Sequence, residues 1–223
     1  MKVSEKWDKV YNNIRNVCER TNRKTQEVNV VAVTKYVTNE RAQEGVDVGL
    51  VHLGENRYEG LIEKQKNIIG EAKWHFIGTL QSRKVKDVID HIDYLHSLDR
   101  LSLAKEINKR AQKKVNCFVQ VNVSDEEQKH GLSPQKVFNF IEQVSNYDKI
   151  NVVGLMTMAP NTSDEVVLRQ CFRDLAHLRN EIHKHGFLHA PCTELSMGMS
   201  NDYEIAIEEG ATFVRIGSAL VGE

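Results

Sequence analysis

The sequence has few of the residues that mark low-complexity, disulfide-bonded or membrane-spanning proteins. It contains only 3 prolines and 13 glycines, which argues against a long low-complexity segment. The four cysteines form no C-x-x-C pair, so neither a zinc knuckle nor a redox pair is predicted. Scattered cysteines are typical of a reducing compartment. No stretch approaches the roughly 18 apolar residues of a membrane span, and the N-terminus lacks the apolar core of a signal peptide. We therefore expect a cytoplasmic protein with no membrane association.

An excess of either charge is also absent. Lys+Arg number 30 and Asp+Glu 31, for a formal net charge of -1, which argues against a protein built chiefly to bind nucleic acid. A length of 223 residues suits one large domain or two small ones. No linker and no shift in composition divides the chain, so we predict a single domain over residues 1–223. No helix face carries surplus apolar residues, and we expect a monomer.

Eight apolar, strand-like runs alternate with helical patterns along the chain. The first, VNVVAVTK at 28–35, is nearly all apolar and β-branched, as expected of a strand buried on both faces of a parallel sheet. An amphipathic helix from Trp7 to Cys18 precedes it. This alternation predicts an α/β fold, a (β/α)8 TIM-type barrel with an additional N-terminal helix. A doubly wound open sheet is the alternative, disfavoured because no glycine-rich turn follows the first strand. The other runs span 49–55, 74–80, 93–99, 115–123, 151–158, 192–198 and 212–218.

Lys35 is the strongest candidate for a reactive side chain. Active sites of such barrels lie at the C-terminal ends of the strands, and Lys35 follows the apolar VVAV of the first strand. Burial at the rim of the core would favour the uncharged amine, which can attack a carbonyl and form a Schiff base. The alternative is a lysine that extends into solvent from the end of a strand.

Small residues near the last two strands predict an anion site. Barrel phosphate sites commonly use the loops after strands seven and eight, and the sequence RIGS places Gly217 and Ser218 after the eighth. Ser200 is the predicted N-cap of the last helix, where an anion would be favoured. Asp202 would repel a phosphate unless it points away. The alternative is that these residues serve only as turn and cap residues.

Histidines near the start of the seventh run resemble a metal cluster only in composition. They straddle a helix end and a loop, where histidine complements the helix dipole, so no metal site is predicted. The residues are His183, His185, His189 and Cys192.

Seven segments of the sequence together form a recognisable pattern. They are AVTKY around Lys35, HLGENRYEG at 52–60, WHFIGTLQSRK at 74–84, VNVSDEEQKHGL at 121–132, GLMTM at 154–158, ELSMGMSNDYEIAIEEG at 194–210 and VRIGSALVGE at 214–223. Each segment alone is weak, but the combination is highly specific and extends from about residue 4 to the C-terminus. With these segments the chain resembles the pyridoxal phosphate homeostasis protein family, single-domain relatives of the alanine racemase barrel.

The resemblance implies a bound cofactor, pyridoxal 5′-phosphate (PLP), linked to Lys35 as an internal aldimine. It also implies that Arg215 faces the pyridine nitrogen. The other implied contacts are Ser200, Gly217 and Ser218 around the phosphate and Asn56 beside the cofactor.

The implied Arg215 limits the chemistry that we expect. A guanidinium is effectively always protonated, so it cannot accept a proton and the facing ring nitrogen should stay unprotonated, which makes the ring a weaker electron sink. The resemblance implies a protein that holds PLP and acts in intracellular vitamin B6 homeostasis. With so weak an electron sink we predict no catalytic residues and no strong turnover, and we expect PLP-dependent apo-enzymes as recipients.

Two enzyme functions are the alternatives. A racemase of the alanine racemase type would need a second base. The resemblance implies that in such racemases the second base is a tyrosine from a C-terminal domain of the partner subunit. We expect no counterpart of that domain here, because the sequence stops at Glu223. An unrelated barrel enzyme could instead bind a phosphosugar through Lys35.

Overall fold

The chain folds into a closed barrel of eight parallel strands, paired in the order in which they occur in the sequence. The computed structural model describes residues 1–124 and 130–222, so residues 125–129 of the 121–132 motif and Glu223 lie outside the described residues. The strands are β1 (Asn29–Val33), β2 (His52–Glu55), β3 (Lys73–Phe76), β4 (Tyr94–Leu98), β5 (Val115–Gln120), β6 (Ile150–Met156), β7 (Glu194–Met199) and β8 (Phe213–Ile216). The helices are α1 (Val3–Arg20), α2 (Asn39–Asp47), α3 (Tyr58–Asn67), α4 (Val85–Val88), α5 (Leu101–Arg110), α6 (Pro134–Val144), α7 (Glu165–His185) and α8 (Tyr203–Glu208).

Pairing between the first and last strands closes the barrel and confirms the predicted fold class. Val31 of β1 lies opposite His52 of β2 on one side and Arg215 of β8 on the other. A doubly wound sheet would leave two unpaired edges, so that alternative is wrong. In a barrel of this kind the C-terminal ends of all eight strands meet at one face, which brings residues far apart in the sequence to a common rim.

The N-terminal helix completes the outer ring of helices. A helix follows each of β1 to β7, whereas β8 runs into turns as far as residue 222, the end of the described segment. Helix α1 buries Val10, Ile14 and Val17 and packs against both α2 and α8. It therefore occupies the place that a helix after β8 would take. Among the described helices, none is both long and apolar enough to span a bilayer.

The barrel interior holds a small apolar cluster and several polar side chains. Val31, Phe118, Met156 and Phe213 are buried together there, apart from the larger core between strands and helices. The ring of Tyr94 stacks on His75 at 4.4 Å between centroids and 5° between planes. Inward-facing side chains from several strands pack in layers in such barrels, so the interior is a filled core and not a pore.

Candidate functional site

A cavity of about 530 Å³ opens at the C-terminal ends of the strands. All six predicted site residues line it, although they come from four different parts of the sequence. The residues are Lys35 after β1, Asn56 after β2, Ser200 after β7, Arg215 at the end of β8, and Gly217 and Ser218 directly beyond it.

Lys35 lies at the rim of this cavity, but its side chain is exposed. The burial that the sequence suggested for Lys35 is therefore absent from this structure, in which the residue lies two positions beyond the end of β1 at Val33. Its Nζ lies 5.0 Å from the centroid of the Tyr36 ring, a distance typical of a cation–π contact.

Thr34, the residue before Lys35, belongs to a buried group of three polar side chains below the cavity rim. Thr34 is fully buried, and its hydroxyl donates to Glu55 Oε1 at 2.6 Å. Lys64 Nζ of α3 lies 3.2 Å from the same oxygen, with side chains only 6% and 1% exposed for Lys64 and Glu55. A buried carboxylate requires such partners, so this group fixes the end of β1 against β2 and α3.

Ser200 does not cap a helix, so this prediction is wrong. Helix α8 begins at Tyr203 after Asp202, and the Ser200 hydroxyl instead accepts hydrogen bonds from the backbone N–H groups of Gly217 at 3.2 Å and Ala219 at 3.4 Å. The turn after β7 carries Ser200 across to the loop after β8, a contact between neighbouring strands that local helix signals do not reveal. Two backbone N–H groups of the loop after β8 therefore converge on the Ser200 hydroxyl, which lines the cavity.

Asp202 is buried beside this turn and is bonded away from it. Its Oδ1 accepts the backbone N–H of Met199 at 2.5 Å. Burial raises the pKa of the Asp202 carboxyl, against the opposing effects of that hydrogen bond and of Arg215. The repulsion expected between Asp202 and an anion is reduced accordingly.

Asn56 owes its position to a close approach of two strand ends. A Cβ atom on Gly78 would lie 2.5 Å from the backbone oxygen of Asn56, closer than real Cβ contacts allow. Because only glycine lacks a Cβ, Gly78 permits the loop after β3 to pack directly on the loop after β2 at the edge of the cavity.

Arg215 is a buried cation with neutral partners. It is 6% exposed, and its Nη1 donates to Ser196 Oγ at 2.6 Å and its Nη2 to the Thr157 carbonyl at 2.9 Å. Within the described residues, it forms no salt bridge to a carboxylate. Burial lowers the pKa of Arg215 to about 10, with Asp202 acting in the opposite direction, so the guanidinium remains charged at neutral pH.

The sequence analysis missed a chain of buried polar side chains that continues from Arg215. Ser196 Oγ lies 2.9 Å from His96 Nδ1, His96 Nε2 lies 2.8 Å from His75 Nδ1, and His75 Nε2 lies 2.8 Å from His52 Nδ1. A single histidine in each of three consecutive apolar strands was the available signal. Which histidines meet depends on the stagger of the barrel, which the sequence does not reveal.

Burial keeps these three histidines neutral. It lowers the pKa of His52 to about 4, with a smaller effect from Lys73. It lowers the pKa values of His75 and His96 well below the usual range, and the charge of Arg215 acts in the same direction on His96.

The residues that resembled a metal cluster make other contacts. His183 Nδ1 donates to the Pro191 carbonyl at 2.7 Å, and Cys192 is buried, which raises the pKa of its thiol to about 12. Across residues 1–124 and 130–222, no three histidine, cysteine, aspartate or glutamate side chains are placed to hold a metal ion.

Comparisons with known proteins agree with this architecture. The family described as "Alanine racemase, N-terminal domain" matches residues 6–223. A pyridoxal phosphate homeostasis protein from Aquifex aeolicus is 38% identical, with 100% of this chain and 99% of the relative covered. A solved structure of an unknown protein from Bifidobacterium adolescentis is 31% identical, with a TM-score of 0.93 over 98% of this chain and 94% of that one.

A third relative was solved with a ligand. It is PipY of Synechococcus elongatus, with PLP bound, 28% identical, with a TM-score of 0.83 over 94% of this chain and 100% of that one. Identity above 30% over full length, together with the match to nearly the whole chain, shows the family. This chain belongs to the pyridoxal phosphate homeostasis proteins, within the family built on the alanine racemase N-terminal domain.

Proposed function

We propose that this protein binds PLP in the cavity at the C-terminal ends of the strands, holds it at Lys35, and acts in intracellular PLP homeostasis without rapid turnover. One observation carries the proposal: the exposed amine of Lys35, the buried guanidinium of Arg215 and the hydroxyl-bearing turn at Ser200 line the same cavity. The names of the relatives and the PLP in the Synechococcus protein support it.

The residues present fit such a cofactor. The Ser200 hydroxyl accepts the backbone N–H groups of Gly217 and Ala219 at 3.2 and 3.4 Å, so its own proton is left to donate to a phosphate at the cavity wall. Ser218 adds a second hydroxyl group to the same wall. Two cations, Lys35 and Arg215, line the same cavity as the bonded Asp202, a balance that favours an anionic ligand.

The assigned roles follow from the chemistry of each side chain. PLP supplies an aldehyde, which condenses with a primary amine with the loss of water. Among the described residues that line the cavity, Lys35 is the one primary amine. Arg215 donates hydrogen bonds and cannot accept one, so a ring nitrogen facing it stays unprotonated and withdraws electrons weakly. This supports a carrier more than a strong catalyst.

Racemisation is the alternative, and the composition of the cavity disfavours it. A two-base racemase needs a second proton donor on the opposite face of the substrate. The titratable side chains among the described lining residues are Lys35, Asp202 and Arg215; Asp202 is bonded to the Met199 N–H, and Arg215 stays charged. We expect no appreciable conversion of L-alanine in chiral chromatography. Turnover at ordinary enzyme rates, about 1–1000 per second, would establish the racemase function instead.

A spectrophotometric titration with PLP tests the proposed function. Wild-type protein is expected to develop the absorbance of lysine-bound PLP in a saturable, 1:1 manner, and Lys35→Ala is expected to lose it. Lys66→Ala, in which an exposed lysine of α3 is removed, is the matched control and should titrate like the wild type. A wild-type protein that stays colourless, or a Lys35→Ala variant that titrates normally, contradicts the proposal.

We propose that the protein acts as a monomer. Its proposed recipients are PLP-dependent apo-enzymes. Mixing PLP-loaded protein with an apo-enzyme is expected to restore the activity of that enzyme. A loaded protein that leaves the apo-enzyme inactive, while added PLP restores it, contradicts this role.

A further inference from the structure

The chain from Arg215 to His52 crosses the barrel interior. It links β8, β7, β4, β3 and β2, and each of its side chains is less than 9% exposed. At the lower end, His52 lines a second cavity, of about 220 Å³, formed by α1 and the N-terminal ends of β1 and β2. The chain therefore connects the candidate PLP site with the opposite face of the barrel.

One direction satisfies every hydrogen bond of this chain, and it starts at Arg215. Arg215 Nη1 can only donate, so Ser196 Oγ accepts at 2.6 Å. The oxygen could accept a second hydrogen bond, but the other partner of Ser196 Oγ among the described residues is His96 Nδ1, so the buried hydroxyl proton is satisfied by donation to that nitrogen at 2.9 Å. A neutral His96 that accepts at Nδ1 carries its proton on Nε2 and donates to His75 Nδ1. By the same logic His75 donates from Nε2 to His52 Nδ1. His52 then carries its own proton on Nε2.

Hydrogen bonds that are aligned in one direction stabilise the Arg215 cation at the end of the chain. The serine hydroxyl and the three imidazoles all present their negative ends towards Arg215, and aligned hydrogen bonds polarise one another. Such a chain stabilises a buried guanidinium as a carboxylate would, but without a formal negative charge. An ion pair with a carboxylate would neutralise the guanidinium. The uncharged chain instead leaves the positive charge of Arg215 available to a ligand.

We propose that Ser196 and His96, supported by His75 and His52, are positioning residues that hold Arg215 charged and correctly oriented towards the ring nitrogen of the cofactor. This inference rests on the proposed function for its ligand, but the direction of the chain is a property of the protein alone. The two parts are therefore tested separately.

The direction is tested by ¹⁵N NMR of histidine side chains in the PLP-free protein at neutral pH. His52, His75 and His96 are each expected to be neutral, with the proton on Nε2 and none on Nδ1. Ser196→Ala, which removes the link to Arg215, is expected to disturb the His96 signals most. A proton on Nδ1 of any of the three wild-type histidines, or a doubly protonated ring, overturns the proposed direction.

The positioning role is tested by PLP affinity and absorbance in a double-mutant cycle. Ser196→Ala is expected to weaken PLP binding about tenfold, the effect of one lost hydrogen bond to a charged group. In an Arg215→Met background the same substitution should have no further effect. The control is Ser97→Ala, which removes another buried hydroxyl, bonded at 2.7 Å to the Gly78 carbonyl, and should be additive with Arg215→Met. If the effects of Ser196→Ala and Arg215→Met were additive, Ser196 would act independently of Arg215, which would overturn the proposal.

A pair of substitutions at His96 separates positioning from packing. Glutamine offers both an acceptor and a donor and is expected to retain most of the affinity, whereas leucine offers neither and should behave like Ser196→Ala. Equal affinities for the two variants would contradict the proposal. If His96→Leu does not fold, the NMR signals and the Ser196 cycle still decide. A wild-type protein that binds no PLP would defeat the proposed function and the positioning role, but the direction measured by NMR would stand.

Discussion

Lowering the pH is expected to destabilise this protein through its three interior histidines. In the unfolded chain a histidine titrates near pH 6.5, whereas burial lowers the pKa of His52 to about 4 and those of His75 and His96 well below the usual range. Below about pH 6.5 the unfolded state therefore binds more protons than the folded state. The contribution of these residues to stability is complete above that pH and is lost as the pH falls.

The magnitude follows from the number of protons. Between about pH 7.5 and about pH 5, each buried neutral histidine lowers the free energy of unfolding by about 2 kcal/mol, and three together by about 6 kcal/mol. Because single domains are commonly stable by about 5–15 kcal/mol, this loss is a large share of the total free energy of unfolding.

Urea unfolding at a series of pH values measures this loss. His75→Phe is expected to show a loss smaller by about 2 kcal/mol over the same range, because one proton fewer is taken up on unfolding. His177→Gln, at an exposed position of α7, is the matched control and should lose as much stability as the wild type. If His75→Phe and the wild type lost equal amounts between these pH values, the account of neutral, buried histidines would be refuted.

Three further substitutions test other parts of the site. Gly78→Ala is expected to cost about 1–3 kcal/mol of stability and to weaken PLP binding, because the new Cβ would meet the Asn56 backbone oxygen at 2.5 Å. The control is Gly45→Ala in α2, where a Cβ has room, and equal urea midpoints for the two variants would contradict the reasoning. Lys64→Met leaves the Glu55 carboxylate without its cation and should cost about 3–5 kcal/mol in urea unfolding; a loss under about 1 kcal/mol would mean that the pair is unimportant. Arg215→Glu should change the absorbance of bound PLP, and an unchanged spectrum would place Arg215 away from the ring.

The sequence predicted the parts of the fold that depend on local pattern. The apolar run at 28–35 contains β1 (Asn29–Val33), and its C-terminal end brings Lys35 to the rim, where the rule for barrel active sites expects it. Gly217 and Ser218 follow β8 and line the same cavity as Lys35. Strand ends could be located because burial on both faces leaves a nearly continuous apolar run.

Contacts between distant strands could not be predicted in the same way. Ser200 has the local signature of a helix cap, yet it bonds to the loop after β8 because β7 and β8 are neighbours in the barrel. The contact between His96 of β4 and Ser196 of β7 depends on the stagger and width of the barrel interior. Exposure of Lys35 likewise depends on the direction in which the chain leaves β1.

The most direct test of the central claim is reduction of the PLP-treated protein with borohydride, followed by peptide mass mapping. Reduction makes the bond between PLP and a lysine permanent, so the modified residue can be identified. We predict one phosphopyridoxyl group for each chain, on the peptide that contains Lys35. An unmodified Lys35 peptide, or label spread over surface lysines such as Lys66, would contradict the claim that this barrel holds PLP at the end of its first strand.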